Sequence, residues 1–218
     1  MRYVYKAAEQ WRDAEVLGRL HARFENAAAT PPAVPRADTE RAFGPRTRDY
    51  LRLRGWRMIR RLAALSHPHA PALAVEMLLG LVDEEQPAPR EEQWWASVDG
   101  RYQRSSRWHH AGAAWMLLPK LLLAQHPSLQ TSARAKRWWT REPLDTTQAM
   151  PLRTEALQAM WDAHPEALLR LATQSRSALV HAVVARALQD HAALVQRQSP
   201  AVRCCAWPRK TTPFDQRG

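Results

Sequence analysis

Apolar side chains recur at steps of three and four residues along most of this chain, which is the spacing of amphipathic helices. Residues 3–28 carry this pattern and predict a first helix. Residues 45–65 carry it among many arginines and predict a basic amphipathic helix. Residues 72–82 are apolar on almost every side, which predicts a buried helix. A further helix is expected to begin near Trp108.

The C-terminal part of the chain has the clearest helical pattern. Residues 152–161, 165–173 and 178–191 predict three short helices. A His-Pro break followed by an apolar helix occurs twice, in SHPHAPALAVEMLLGL and in AHPEALLRLATQS. These features together predict an all-α fold of short antiparallel helices arranged as irregular HEAT-like repeats, either an α-solenoid or a helical bundle.

Two polar stretches divide the predicted helices into groups. Residues 93–107 are polar and irregular apart from a tryptophan pair, and residues 126–151 form a connection longer than compact domains usually contain. We therefore expect an N-terminal helical region at 1–125, a linker at 126–151, a C-terminal helical repeat at 152–192 and a disordered tail at 193–218.

A family resemblance rests on three segments, YKAAEQWRDAEVLGRLHARFE, FGPRTRDYLRLRGWRMIRRLAAL and WDAHPEALLRLATQSRSALVHAVVARAL. They resemble the N-terminal helical region of large uncharacterised bacterial HEAT-like proteins, some of which carry WGR-type modules. The resemblance implies a scaffold fold without an established activity. It also implies a longer parent chain, of which these residues would be a fragment.

The basic helix at 45–65 separates its apolar and charged side chains. At 100° per residue, one side of the helix carries Leu51, Gly55, Met58, Ile59, Leu62 and Leu65. A row of guanidinium groups falls on the other side, formed by Arg54, Arg57, Arg60 and Arg61. This row is expected either to face a partner or to pair with the acidic connector at 83–92.

The charge of the chain favours an acidic partner. Thirty-two basic residues against 21 acidic ones give a formal charge of +11, and only four of the basic residues are lysines. The planar guanidinium of arginine can donate two parallel hydrogen bonds to one carboxylate or phosphate, which lysine cannot. Nucleic acid and an acidic protein surface are therefore both suitable partners. The alternative is an arginine-rich composition that follows from a GC-rich genome and has no binding role.

Ten tryptophans include two adjacent pairs, Trp94-Trp95 and Trp138-Trp139. The segment RAKRWWTRE surrounds the second pair with cations, and exposed rings among arginines are typical of surfaces on which nucleic-acid bases stack. A scaffold would instead pack both pairs under loops. The predicted contact residues of this segment are Arg134, Lys136, Arg137, Trp138 and Trp139.

The sequence offers no motif for catalysis or cofactor binding. Its seven glycines form no phosphate-binding loop, and no HExxH or paired CxxC motif is present. The histidine pairs are too sparse to predict a metal site, so we expect neither a metal nor a cofactor. An enzyme would require histidines that converge in space with an acid, the candidates being His67, His69, His109 and His110.

The expected location is the cytoplasm. Cys204 and Cys205 are neighbours and unsuited to a disulfide framework, which favours a reducing compartment. The N-terminus lacks the apolar run of a secretory signal, and no segment reaches the roughly 20 apolar residues of a membrane span. We predict a non-catalytic scaffold that binds a protein with an acidic surface, with nucleic-acid binding as the alternative.

Overall fold

The computed structural model describes residues 2–29, 44–132 and 136–191 and has a mixed α and β fold. Eight helices lie in these ranges: α1 Arg2–Trp11, α2 Ala14–Ala29, α3 Pro45–Ala64, α4 His69–Leu79, α5 Leu117–Leu122, α6 Gln158–Ala163, α7 Pro165–Gln174 and α8 Ala178–Gln189. Four strands form one antiparallel sheet in the order β1-β2-β4-β3: β1 Arg90–Val98, β2 Arg101–His109, β3 Leu129–Thr131 and β4 Trp138–Thr140. The all-α prediction is therefore wrong, and so is the α-solenoid.

The predicted first helix is two helices separated by a sharp turn. Arg12 has a left-handed backbone with φ of 54°, which ends α1. The Asp13 carboxylate then accepts a 3.0 Å hydrogen bond from the Val16 backbone N–H, so Asp13 caps the start of α2. Because the turn is so short, the apolar period continues across it, and the sequence pattern does not reveal the break.

Helix α4 lies at the centre of the helical layer, against α2, α3 and α7. Its buried side chains include Leu73 and Leu78, as its apolar sequence predicts. The contact with α2 is close at Gly18, where an added Cβ would lie 2.5 Å from the Cβ of Glu76. Only glycine permits this approach of the two backbones.

A single hydrophobic cluster joins the two ends of the described chain. It runs from Tyr5 to Leu188 and includes Trp138 and Met150 from the interval 126–151. That interval, which the sequence analysis interprets as a linker, contains both β3 and β4. The three-residue strands are too short to show a period of two. The predicted tail at 193–218 lies outside the described residues.

Other helix predictions have mixed outcomes. The basic helix and the last two helices are confirmed as α3, α7 and α8. Residues 93–107 are not irregular but belong to β1 and β2, and the helix expected near Trp108 begins only at Leu117. Within 152–161 only the end is helical, because Leu157 has φ of 57° directly before α6. No helix in the described ranges is long and apolar enough to cross a membrane.

Candidate partner-binding surface

Strands β1 and β2 form a regular hairpin in which Arg90 pairs with His109 and Val98 pairs with Arg101. The two residues of the turn, Asp99 and Gly100, have φ of 51° and 76°. Two successive left-handed residues make the turn type that matches the twist of a hairpin, and Asp-Gly is among its preferred sequences. This dipeptide is the signal that could have predicted the hairpin.

Among the described residues, only the base of the hairpin pairs with another strand of the sheet. Strand β4 pairs with β2 at Trp108 and Thr140, and β1 is an edge strand. Nine residues of strand span about 30 Å, so most of the ribbon extends past its neighbour β4. Residues 101–104 are exposed, which means that no other part of the described chain covers the outer half of β2.

Large rings lie on this uncovered outer half. Tyr102 is 77% exposed, Trp95 is 70% exposed and Trp94 is 42% exposed. Alternation along paired strands places Trp95, Tyr102 and Arg104 on one face, where Trp95 is directly opposite Arg104. We call these three residues the tip surface. It combines two exposed rings with one guanidinium group.

The opposite face of the hairpin carries an arginine held between two tryptophans. The guanidinium carbon of Arg107 lies 5.3 Å from the ring centre of Trp94 and 4.5 Å from that of Trp139. Its Nε–H donates to Glu92 at 2.7 Å, and His109 contacts the same carboxylate oxygen at 2.7 Å. Hydrogen bonds from Arg107 and His109 lower the pKa of Glu92 to about 2. These contacts hold the base of the hairpin against β4.

The structure separates the predicted contact residues around the second tryptophan pair. Trp138 is fully buried and donates its indole N–H to the Gly112 carbonyl at 3.1 Å. Trp139 lies on the other side of the strand, in the stack with Arg107. Lys136 forms an ion pair with Asp49 of α3, and Arg137 is exposed.

Arg134 lies outside the described residues. The tip surface is not predicted from the sequence, because the polar segment 93–107 around Trp94 and Trp95 has no helical period and is interpreted as irregular. In a strand, adjacent side chains point to opposite faces, so each tryptophan pair divides between two faces.

The guanidinium row predicted on α3 is only partly free. Arg54 donates to both carboxylate oxygens of Glu9, and these hydrogen bonds, with one to Tyr50, raise its pKa. The other three form no ion pair with any residue in the described ranges, and we call them the arginine row: Arg57, Arg60 and Arg61.

The acidic connector at 83–92 does not cover the arginine row. Asp83 accepts a hydrogen bond from the Ala178 backbone N–H, Glu85 accepts one from Asn26, and Glu92 binds Arg107. These three carboxylates therefore contact α2, the start of α8 and the hairpin base, and the described residues show no ion pair between the connector and Arg57, Arg60 or Arg61.

The histidine candidates for catalysis lie in separate contacts. His67 Nε2 accepts a 2.7 Å hydrogen bond from the Arg12 guanidinium, and its ring lies beside that of His69. His109 contacts Glu92, and His110 contacts the Thr140 hydroxyl at 2.7 Å. Across the described part of the chain, no group of three or more histidine, cysteine, aspartate or glutamate residues is placed to hold a metal ion.

Comparison with known proteins gives no match for this chain, whether to protein-family models, to curated proteins or to solved structures. The resemblance to HEAT-like proteins therefore stays a prediction.

Proposed function

We propose that this protein is a non-catalytic binding module of the cytoplasm, and that its hairpin contacts a protein with an acidic surface. The observation that carries the proposal is the exposure of Trp95 and Tyr102 on a ribbon that the described chain leaves uncovered. Tryptophan, tyrosine and arginine dominate the binding energy of protein interfaces, and the tip surface consists of these three residue types.

The edge of the hairpin supports the same proposal. Proteins usually protect edge strands with charges, prolines or bulges, because an unpaired strand can pair with another chain. Charged residues lie only at the base of β1, at Arg90, Glu91 and Glu92, whereas 93–98 carries none. The outer half of β1 is therefore an unprotected edge beside two exposed rings.

The charge of the partner follows from the charges around the rings. Arg101 and Arg104 lie on β2 at the outer half of the hairpin, and the whole chain carries a formal charge of +11. A complementary partner presents carboxylates around an apolar patch. Such an interface would lose affinity modestly as salt rises, because its central contacts are apolar.

A double substitution of the tip surface tests the proposal. Trp95→Ser with Tyr102→Ser should reduce the recovery of at least one specific protein from a lysate of the source organism at least tenfold, measured by quantitative mass spectrometry. The matched control is Leu65→Ser, which changes a single residue that is 68% exposed in the turn after α3. Circular dichroism must show that all three proteins are equally folded.

The proposal is wrong if the wild type and the double variant recover the same proteins in the same amounts. It is also wrong if Leu65→Ser causes the same losses, because the effect would then not be specific to the hairpin.

Nucleic-acid binding is a second candidate, which the arginine row favours. Three guanidinium groups without carboxylate partners in the described ranges can neutralise phosphates. If this candidate is correct, binding to labelled single-stranded RNA or DNA should fall steeply with salt. Changing Arg57, Arg60 and Arg61 to Ala should then reduce the slope of log affinity against log salt by about 2 to 3. Binding that is missing at low salt, or a slope that the variant leaves unchanged, would exclude the arginine row as a nucleic-acid site.

A further inference from the structure

A cavity of about 510 Å³ lies beside the inner end of β2, away from the tip surface. Its walls come from Asp83, Glu84 and the segment 86–89, from Trp108, from the start of α8, and from Pro143, Leu144 and Thr146. Trp108 follows Arg107 in β2, so the Trp108 side chain lies on the face of the strand opposite to Arg107 and its two tryptophan neighbours. We call the cavity the Trp108 cavity. Its volume is within the range of small-molecule pockets.

Two side chains that line the Trp108 cavity have acceptor oxygens without a donor. The Oδ2 of Asp83 accepts a 2.7 Å hydrogen bond from the Ala178 backbone N–H, but its Oδ1 is buried and has no hydrogen-bond partner in the described ranges. The Oε1 of Gln86 is buried and unpartnered in the same way. Buried acceptors usually find donors, so both side chains have unused hydrogen-bonding capacity, which a donor in the cavity would reach once the side chain rotates.

His110 adds a third acceptor to the lining. The Thr140 hydroxyl donates to the Glu142 carbonyl at 2.5 Å, so it must accept from the Nε2–H of His110. This leaves Nδ1 of the neutral imidazole as an acceptor. Burial, together with the neighbouring His109 and His126, lowers the pKa of His110 to about 4, so the ring carries no charge near pH 7.

The lining of the cavity has a net negative charge, whereas the whole chain has a net positive charge. Two carboxylates line it, those of Asp83 and Glu84, against one cation, Arg176, which is exposed. The remaining lining is largely apolar and includes the Trp108 ring, Leu144 and Leu179. A site with acidic and uncharged acceptors beside an indole ring therefore occurs in a protein whose net charge is +11.

We propose that the Trp108 cavity binds an organic cation, a guanidinium or ammonium group on a short aliphatic chain. The cationic group would pair with the carboxylates of Asp83 and Glu84, and the aliphatic chain would lie against Trp108 and Leu179. Carboxylates and the face of an indole ring both attract such cations. The cation could be a free small molecule or an arginine or lysine side chain of a peptide.

Two pairs of probes that match in shape but differ in charge test this proposal by isothermal titration calorimetry. Butylguanidinium and butylurea represent the free small molecule. Acetyl-Gly-Arg-Gly-amide and its citrulline analogue represent the peptide side chain. We expect at least one cationic probe to bind at least ten times more tightly than its neutral counterpart. The pair that shows this difference identifies the source.

The variant Asp83→Asn should weaken binding of the cationic probe at least tenfold, because it removes the charge. Asparagine can still accept the hydrogen bond from the start of α8, so thermal stability should stay near that of the wild type. The matched control is Asp145→Asn, whose carboxylate is satisfied by Thr147 and Gln148. The proposal is overturned if neither cationic probe binds, if both neutral probes bind equally well, or if Asp83→Asn and Asp145→Asn have the same effect.

Discussion

Replacing Arg52 with methionine should lower the free energy of unfolding by about 3 to 5 kcal/mol. The Arg52 side chain is 1% exposed and lies 2.5 Å from Oε2 of Glu25, which is completely buried. Arg52 also donates to the Ala114 carbonyl, and Glu25 accepts from the Met116 backbone N–H. These contacts join α2, α3 and the segment that leads into α5. Removing the guanidinium would leave a buried carboxylate without its counter-charge.

Arg54→Met is the matched control for this prediction. It removes an arginine from the same helix that is bound to Glu9, but the Arg54 and Glu9 side chains are 35% and 24% exposed. Ion pairs that contact water contribute about 0 to 1 kcal/mol. Urea unfolding followed by circular dichroism at pH 7 measures both changes. Equal, small losses in the two variants would show that Arg52 and Glu25 do not hold these elements together.

Acid should destabilise the protein through His21. Its ring is completely buried beside Tyr5, and burial, together with the nearby charge of Arg52, lowers its pKa from 6.5 to about 3. Between these pH values the unfolded chain binds a proton that the folded chain excludes. The free energy of unfolding should therefore fall as the pH falls below about 6.5. The slope is about 1.4 kcal/mol per pH unit and the total is on the order of 4 kcal/mol at pH 3.

The variant His21→Gln isolates this effect, because the carboxylates that titrate in the same range are common to both proteins. The difference in free energy of unfolding between wild type and variant should shrink as the pH falls from 7 to 4. Chemical denaturation at several pH values gives this difference directly. A difference that is constant over this range would mean that His21 titrates equally in the folded and unfolded chains.

The helical part of the fold could be predicted from the sequence, because its signals are local. The start of α3 at Pro45 and the two apolar faces of α7 and α8 lie within single stretches of the chain. The hairpin was missed because its strands are exposed on both faces, so no apolar alternation marks them. Its only local signal is Asp99-Gly100, which a search for helical period overlooks.

Which predicted arginines are free to bind a partner depends on contacts with residues that are distant in sequence. The spacing of apolar residues along the chain carries no information about such contacts. Arg54 is bound by Glu9, 45 positions earlier, and Arg52 by Glu25, 27 positions earlier. A helical wheel places Arg54 on the charged side of α3 and Arg52 at the edge of the apolar side, but it identifies neither carboxylate partner. Trp138 and Trp139 are adjacent residues of the same type, but their side chains lie on opposite faces of β4. Trp138 is buried, and Trp139 lies against Arg107.

Site-specific photo-crosslinking in cells tests whether the outer half of the hairpin contacts a partner. A benzophenone amino acid would replace Trp95 or Tyr102, with Leu65 as the equally exposed control position. Positions 95 and 102 should give discrete protein adducts, and position 65 should give none of the same mass. Adducts that nuclease digestion removes would instead support nucleic acid. No adduct from either hairpin position, or the same adducts from position 65, would show that the hairpin is not a specific protein-binding surface.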